Sequence, residues 1–151
     1  MGALEDIGEG HALVGLDTPL FVYHLERAEP WLPVTRVLLR QIAQGTYAAV
    51  TSVVTITELC TRPLAVGRSD LASAYRAALM QFPNLGVLVI DAATAHQAAA
   101  LRASYRLRTP DALQIAASLN AGATAFITND RRLRQVRELE VLIIDDLRDT
   151  A

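Results

Sequence analysis

Ala12-Leu13-Val14-Gly15-Leu16-Asp17-Thr18-Pro19 is an apolar run that stops at a carboxylate and meets proline two residues later. An apolar run of that length without polar alternation suits a strand buried on both faces. Pro19 suits the first turn of a helix, predicted to continue to about Arg27. The pattern returns near the other end as Ala125-Phe126-Ile127-Thr128-Asn129-Asp130, again a buried-strand run closed by an acid. Two such strands, each delivering an Asp at its carboxyl end, set the terms for the rest of the chain.

Working outward, strands and helices alternate. Pro33 opens a helix whose apolar positions Val34, Val37, Leu38 and Ile42 follow the 3.6-residue period, and Gly45 stops it. Residues 47–50 predict a second strand, followed by a helix containing Thr55 and reaching about Leu64. Another helix starts at Ser69-Asp70 and ends near Phe82-Pro83-Asn84. Residues 87–90 predict a third strand, with Asp91 placed to cap an Ala-rich helix over 93–105. Thr109-Pro110-Asp111 reads as a helix start in which Thr109 supplies the capping hydroxyl and Asp111 complements the dipole. That helix runs to Asn120 or Ala121. A short helix over 131–136 and a last strand over 141–144 complete the pattern. The expectation is an α/β fold, a central parallel β-sheet flanked by helices on both faces. The predicted domain spans 12–148, preceded by a polar segment, 1–11, read as a short loose arm.

In an open α/β sheet the carboxyl ends of the strands share the edge where ligands bind. Asp17 and Asp130 end strands there, while Glu58 and Asp111 lie early in helices that follow a strand or loop. Each acid has a purely structural reading of its own. Asp17 and Asp130 are placed to cap helices, Thr55-x-x-Glu58 has capping-box spacing, and Asp111 sits where a helix dipole favours it. Their common position on one edge is what those separate readings leave unexplained. Four acids gathered there repel one another unless a cation joins them, so the pattern points to a divalent-metal site. Asp91, Asp145 and Asp146 also follow strands; Asp91 is read as a cap and none of the three is assigned to the site.

Composition narrows the function classes. At 151 residues the chain makes one domain with a real core. Its 52% apolar content and mean hydropathy of +0.25 are high, yet no apolar stretch nears the roughly 18 residues a membrane span needs. A buried sheet and an oligomer interface account for the excess. Glu5, Asp6 and Glu9 stand where a secretory signal needs positive charge, so the expected compartment is the cytoplasm. Cys60 is the only cysteine, which excludes an internal disulfide and a Cys-based zinc cluster. His11, His24 and His96 show no ligand spacing. The net charge of −2 argues against a chain coated in positive charge for duplex binding. All 14 basic residues are Arg, and seven of them fall between Arg102 and Arg137, around Asp111 and Asp130. Basic residues around an acidic centre suit a nuclease, which must draw phosphates toward carboxylates.

Other constellations fail on position. Val141-Leu142-Ile143-Ile144-Asp145-Asp146 resembles the first strand of a receiver domain but lies at the wrong end of the chain, and the essential Lys is missing. Leu16-Asp17-Thr18-Pro19-Leu20 puts proline where a haloacid-dehalogenase phosphatase needs its second Asp. No Gly-rich phosphate loop is present.

Two segments carry a resemblance. Thr109-Pro110-Asp111-Ala112-Leu113-Gln114-Ile115-Ala116, followed by Thr128-Asn129-Asp130-Arg131-Arg132-Leu133, is similar to the C-terminal half of PIN-domain ribonucleases, and within them to toxins of the VapC type. Leu16-Asp17-Thr18 and Thr55-Ile56-Thr57-Glu58-Leu59 match the first half in order and approximate spacing. The resemblance implies a PIN-like fold and a Mg²⁺- or Mn²⁺-dependent ribonuclease. It carries over Asp17, Glu58, Asp111 and Asp130 as the catalytic acids and Thr128 as a polar helper. Asp17, Asp111 and Asp130 are the expected metal ligands, with Glu58 orienting the attacking water and Thr109 supporting the helix that presents Asp111. Arg108, Arg131 and Arg132 are candidates for the RNA backbone. The same resemblance implies a small antitoxin partner and a homodimer. A PIN nuclease of RNA processing or decay without an antitoxin, or a catalytically silent interaction domain, are the alternatives. Two features depart from the family: Pro19 stands where Asn is common, and the segment before Ala12 is longer than usual.

Overall fold

The computed structural model describes residues 2–150. Five parallel strands form one sheet in the order β3-β2-β1-β4-β5: β1 (Leu13–Leu16), β2 (Ala48–Ser52), β3 (Leu85–Leu88), β4 (Ala125–Thr128) and β5 (Glu140–Ile143). Between β1 and β2 run α2 (Thr18–Leu25) and α3 (Leu32–Ala43); between β2 and β3, α4 (Val53–Ala65) and α5 (Ser69–Gln81). From β3 the chain crosses through α6 (Ala92–Tyr105) and α7 (Thr109–Asn120) to β4, on the far side of β1. A 3₁₀ turn, Arg131–Gln135, leads to β5, and α8 (Ile144–Asp149) closes the fold. The strand order therefore reverses between β1 and β4, and the crevice at their carboxyl ends is the topological switch point where such sheets bind ligands.

Side-chain alternation along the strands decides what each face carries. On one face Val14, Leu16 and Ile127 pack with Leu20 of α2, Leu38 and Ile42 of α3, and Ile144 of α8. On the other, Phe126 packs with Leu101 of α6 and with Ala112, Ile115 and Ala116 of α7. Full burial of such aliphatic or aromatic side chains contributes about 1.5–3 kcal/mol each. Gly15 belongs to this second face and is needed there: a Cβ at Gly15 would stand 2.2 Å from Ser118 Oγ and 2.8 Å from the Phe126 ring. The missing side chain lets α7 lie directly on β1, bringing Asp111 down toward the switch point.

Four local expectations change. The third strand, expected over 87–90, lies two residues earlier, at Leu85–Leu88, and Val89 is exposed. The segment expected to be a loose arm contains a helix, α1 (Ala3–Gly10), because Leu4 and Ile7 supply an apolar stripe that the main core buries. His11 pins its end, with Nδ1 2.7 Å from Thr124 Oγ1 and Nε2 2.7 Å from Glu140 Oε2. The helix after β2 begins at Val53 and is capped by Ser52, whose hydroxyl accepts the Val54 N–H at 3.1 Å. Thr55 therefore lies inside α4 and forms no capping box with Glu58. Finally, the last strand ends at Ile143 and α8 follows it, with Asp145 and Asp146 in its first turn.

Candidate active site

Asp17 joins β1 to α2 as the helix N-cap and is 6% exposed. Its backbone N–H donates to the Ile127 carbonyl at 2.9 Å, carrying the β1–β4 ladder one residue past the strand. Oδ1 accepts the Thr18 N–H at 2.9 Å, and Oδ2 accepts the Thr128 hydroxyl at 2.8 Å. Burial pushes the Asp17 carboxyl up to about 6, against the lowering effect of those two hydrogen bonds; the charges of Asp111 and Glu58 add to the rise. A carboxylate desolvated beside other acids is expensive to keep ionised, which is the condition a cation relieves.

Asp130 lies two residues past β4 and caps the 3₁₀ turn. Its backbone N–H donates to Thr128 Oγ1 at 3.2 Å. Oδ1 accepts the Arg132 backbone N–H at 3.0 Å and Nε at 3.0 Å, while Oδ2 accepts Nη2 at 2.7 Å. The Arg132 guanidinium holds the Asp130 carboxyl below the usual carboxylate range. Asp111 sits in the first turn of α7, with Oδ2 accepting Arg108 Nε at 3.1 Å. Glu58 comes from α4, and Oε1 accepts the Thr18 hydroxyl at 2.7 Å.

These four acids line one cleft of about 410 Å³, together with Thr18, Pro19, Val22, Tyr23 and Arg108. A smaller pocket of about 70 Å³ adjoins it, sharing Arg108, Asp111 and Asp130 and adding Arg106, Arg132 and Gln135. The structure thus brings Asp17, Glu58, Asp111 and Asp130 together, keeps Thr128 between two of them, and sets Arg108 and Arg132 at the rim. It does not bring Arg131 there: Arg131 Nη2 donates to Asp146 Oδ1 at 2.8 Å instead, and Arg134 joins the same carboxylate. Thr109 is also displaced from its expected role. The N-cap of α7 is Arg108, with no side-chain capping bond, and Thr109 is the first helical residue, exposed to solvent. Asp91 is an N-cap, its Oδ1 accepting the Thr94 N–H at 2.8 Å, and it does not line the cleft.

Among the described residues, no three acidic or imidazole side chains enclose a cation as they stand. Two of the acids are paired with arginines instead: Arg108 engages Asp111 and Arg132 chelates Asp130. The donor chemistry nevertheless fits a hard divalent ion, since the cleft offers carboxylate oxygens from four segments and no sulfur or imidazole.

A buried polar network behind the cleft was not read from the sequence. Gln114 of α7, 1% exposed, accepts the Ser52 hydroxyl on Oε1 at 2.6 Å. Its Nε2 donates to Thr55 Oγ1 at 2.7 Å and to Thr18 Oγ1 at 3.3 Å. Thr51 donates to the Leu16 carbonyl at 2.9 Å, so Thr55, 2.8 Å away, donates to Thr51. Thr18 must donate to Glu58, because an ionised carboxylate only accepts. The hydroxyl directions are set jointly by the Leu16 carbonyl, the Glu58 carboxylate and the Gln114 amide, and no buried side-chain N or O among the described residues lacks a partner. One signal was present: Gln114 interrupts the apolar face of Ala112-Leu113-Gln114-Ile115-Ala116, three residues after Asp111.

The comparisons with known proteins follow the same outline. The PIN domain family model matches residues 14–139. No curated protein matches the chain. Among solved structures, the fold is similar to a chain in the crystal structure of VapBC2 from Rickettsia felis bound to a DNA fragment from their promoter. That chain gives a TM-score of 0.70 at 15% identity, covering 87% of this chain and 98% of its own. A chain of a toxin-antitoxin complex from Klebsiella pneumoniae gives a TM-score of 0.64 at 21% identity, covering 88% of this chain and 97% of its own.

Proposed function

Because the chain belongs to the PIN domain family, we propose that it hydrolyses RNA phosphodiester bonds with Mg²⁺ or Mn²⁺ held by Asp17, Asp111 and Asp130. The observation that carries this reading is the convergence of four carboxylates from β1, α4, α7 and the end of β4 on one cleft at the switch point. The cation, when bound, supplies an acidified water and offsets charge building on the phosphate.

The chain's own residues do the positioning. Thr128 and the Thr18 N–H fix both oxygens of Asp17. The Thr18 hydroxyl fixes Glu58 Oε1, which leaves Oε2 to orient an attacking water. Arg108 and Arg132 stand at the rim, where a guanidinium fork suits the phosphate backbone. The RNA strand would enter across the rim with its phosphate toward the acids.

The fold likeness to chains of toxin–antitoxin complexes supports placing this nuclease in a VapBC-type pair, with a small antitoxin as partner. A homodimer, implied by the same resemblance, is part of this proposal. No helix among the described residues is long and apolar enough to cross a membrane.

Purified protein incubated with single-stranded RNA should cleave it in Mg²⁺ or Mn²⁺ and stop in EDTA. Asp17→Asn and Asp130→Asn should each abolish cleavage while remaining folded. Cleavage that persists in EDTA, or in either folded variant, overturns the reading. The pairing is tested separately: expression alone should arrest growth of the host, and co-expression of an adjacent small reading frame should restore it.

A further inference from the structure

The acids and Arg108 account for a phosphate in the cleft, but the cleft also has an apolar wall. Pro19, Val22 and Tyr23, all on α2, are its only apolar lining residues among the described residues. Tyr23 stacks on Trp31, with ring centroids 4.1 Å apart and planes 11° from parallel. This pair takes the only tryptophan of a chain with 5% aromatic residues.

The polar atoms of both rings are tied to the strand end that bears an acid. Asn129 Nδ2 donates to the Tyr23 hydroxyl at 3.0 Å, and Asn129 immediately precedes Asp130. The Asn129 side-chain Oδ1 accepts the Asp145 backbone N–H at 3.0 Å, while the Trp31 indole donates to Asp145 Oδ1 at 2.7 Å. The loop is closed: Tyr23, Trp31, Asp145 and Asn129 hold one another in register with Asp130. Both rings remain partly exposed. Trp31 covers one face of Tyr23 and does not line the cleft, whereas Tyr23 does. Tyr23 thus lines the cleft while a second aromatic, which does not line it, backs one of its faces.

We propose that Tyr23 is a stacking platform for one unpaired nucleobase of the RNA beside the scissile phosphate. This rests on the ribonuclease reading above. Single-stranded RNA is recognised where splayed bases stack on aromatic side chains, and a base in a duplex has no free face to offer. Stacking tolerates any base, so the platform positions the strand without reading its sequence.

The test scans single-stranded oligoribonucleotides carrying an abasic site at each position in turn, titrated with Asp17→Asn protein to prevent cleavage. One position should weaken binding by about tenfold when abasic, since stacking of one base is worth roughly five- to 150-fold. Adding Tyr23→Leu should weaken the intact oligomer by a similar factor and erase the difference at that position. Tyr23→Phe, which keeps the ring, should preserve the difference. A scan that is flat at every position with Tyr23 intact overturns the platform alone and assigns the wall to another occupant, such as a partner peptide. Persistent discrimination in Tyr23→Leu overturns it equally. Wild-type protein that neither binds nor cleaves any oligomer overturns the ribonuclease reading, and the platform with it.

Discussion

Thr128 donates its hydroxyl to Asp17 Oδ2 at 2.8 Å while its oxygen accepts the Asp130 backbone N–H at 3.2 Å. One fully buried side chain on β4 thus sets the position of two strand-end acids at once. A hydrogen bond to a charged group contributes about 1.5–3 kcal/mol, more than a neutral one. Thr128→Val keeps the volume and removes the hydroxyl. It is expected to lose stability on that scale near pH 8 and to cut RNA cleavage by about a hundredfold, the penalty of a small misplacement. Thr128→Ser should stay within a few-fold of wild type. Equal behaviour of the Val and Ser variants, in melts and in cleavage, would show that the hydroxyl couples nothing.

Asp17 gives a pH dependence of stability with a definite sign. Its carboxyl lies at about 6 in the fold, against 3.8 for the unperturbed group, chiefly through burial. The folded state therefore binds a proton more tightly than the unfolded state. The stability this supplies is fully present below about pH 4 and is lost as pH rises through 6. The gap corresponds to a penalty of about 3 kcal/mol at pH 8, as an order of magnitude. In EDTA, Asp17→Asn should melt several degrees above wild type at pH 8, with the advantage vanishing near pH 4. An advantage that is constant across the range would mean that the carboxyl titrates normally.

Arg132 chelates Asp130 through Nε and Nη2 and so competes with a cation for the same oxygens. The Arg132 side chain is 71% exposed, so solvent screens much of the attraction. Arg132→Gln is expected to tighten Mn²⁺ binding by about two- to fivefold, the scale of an exposed ion pair. Calorimetric titration of both proteins measures this directly. Weaker Mn²⁺ binding in Arg132→Gln would make the guanidinium a support of the metal site, not its rival.

Gln114 is expected to matter for chemistry beyond its burial, because its amide donates to the oxygen of the Thr18 hydroxyl that holds Glu58. Gln114→Met fills the space and removes two donors and an acceptor. Each buried group left without a partner costs about 1–3 kcal/mol. Cleavage should fall further than RNA binding, since Glu58 loses its fixed direction while the arginine rim is untouched. If cleavage and binding weaken in parallel, the network is structural only.

The sheet was legible in the sequence because each strand is a short apolar run bounded by helix signals. Asp17 and Asp130 were legible for a related reason: a carboxylate one or two residues after a buried strand lies at the sheet edge, whereas Glu58 and Asp111 reach it from helices. What escaped depends on contacts between distant segments. Leu4 and Ile7 make a helix of the N-terminal segment only because the main core receives them. Tyr23 and Asn129 are 106 residues apart in sequence, and Gln114 meets Ser52 across 62. Arg131 and Arg132 are adjacent and chemically alike, yet one faces Asp146 and the other Asp130. That choice is made by the 3₁₀ turn, which local propensity does not specify.

Thr109 and Asp91 form a paired control on helix starts. Both precede or begin a helix and both are cap-forming residue types, but only Asp91 caps. Its Oδ1 accepts both the Thr94 N–H at 2.8 Å and the Thr94 hydroxyl at 2.7 Å, and these bonds hold its carboxyl below the usual range. Thr109 is already inside the helix, exposed, with Pro110 behind it. Asp91→Ala should therefore lower the melting temperature by a few degrees and leave cleavage intact, because α6 does not line the cleft. Thr109→Ala should change neither, because no first-turn N–H depends on its hydroxyl. Thermal melts and initial cleavage rates on the two variants decide the matter. A stable but inactive Asp91→Ala protein would move the active site away from the β1–β4 switch point. A loss of Mn²⁺ affinity in Thr109→Ala would mean that Thr109, not the position of α7 on β1, sets where Asp111 points.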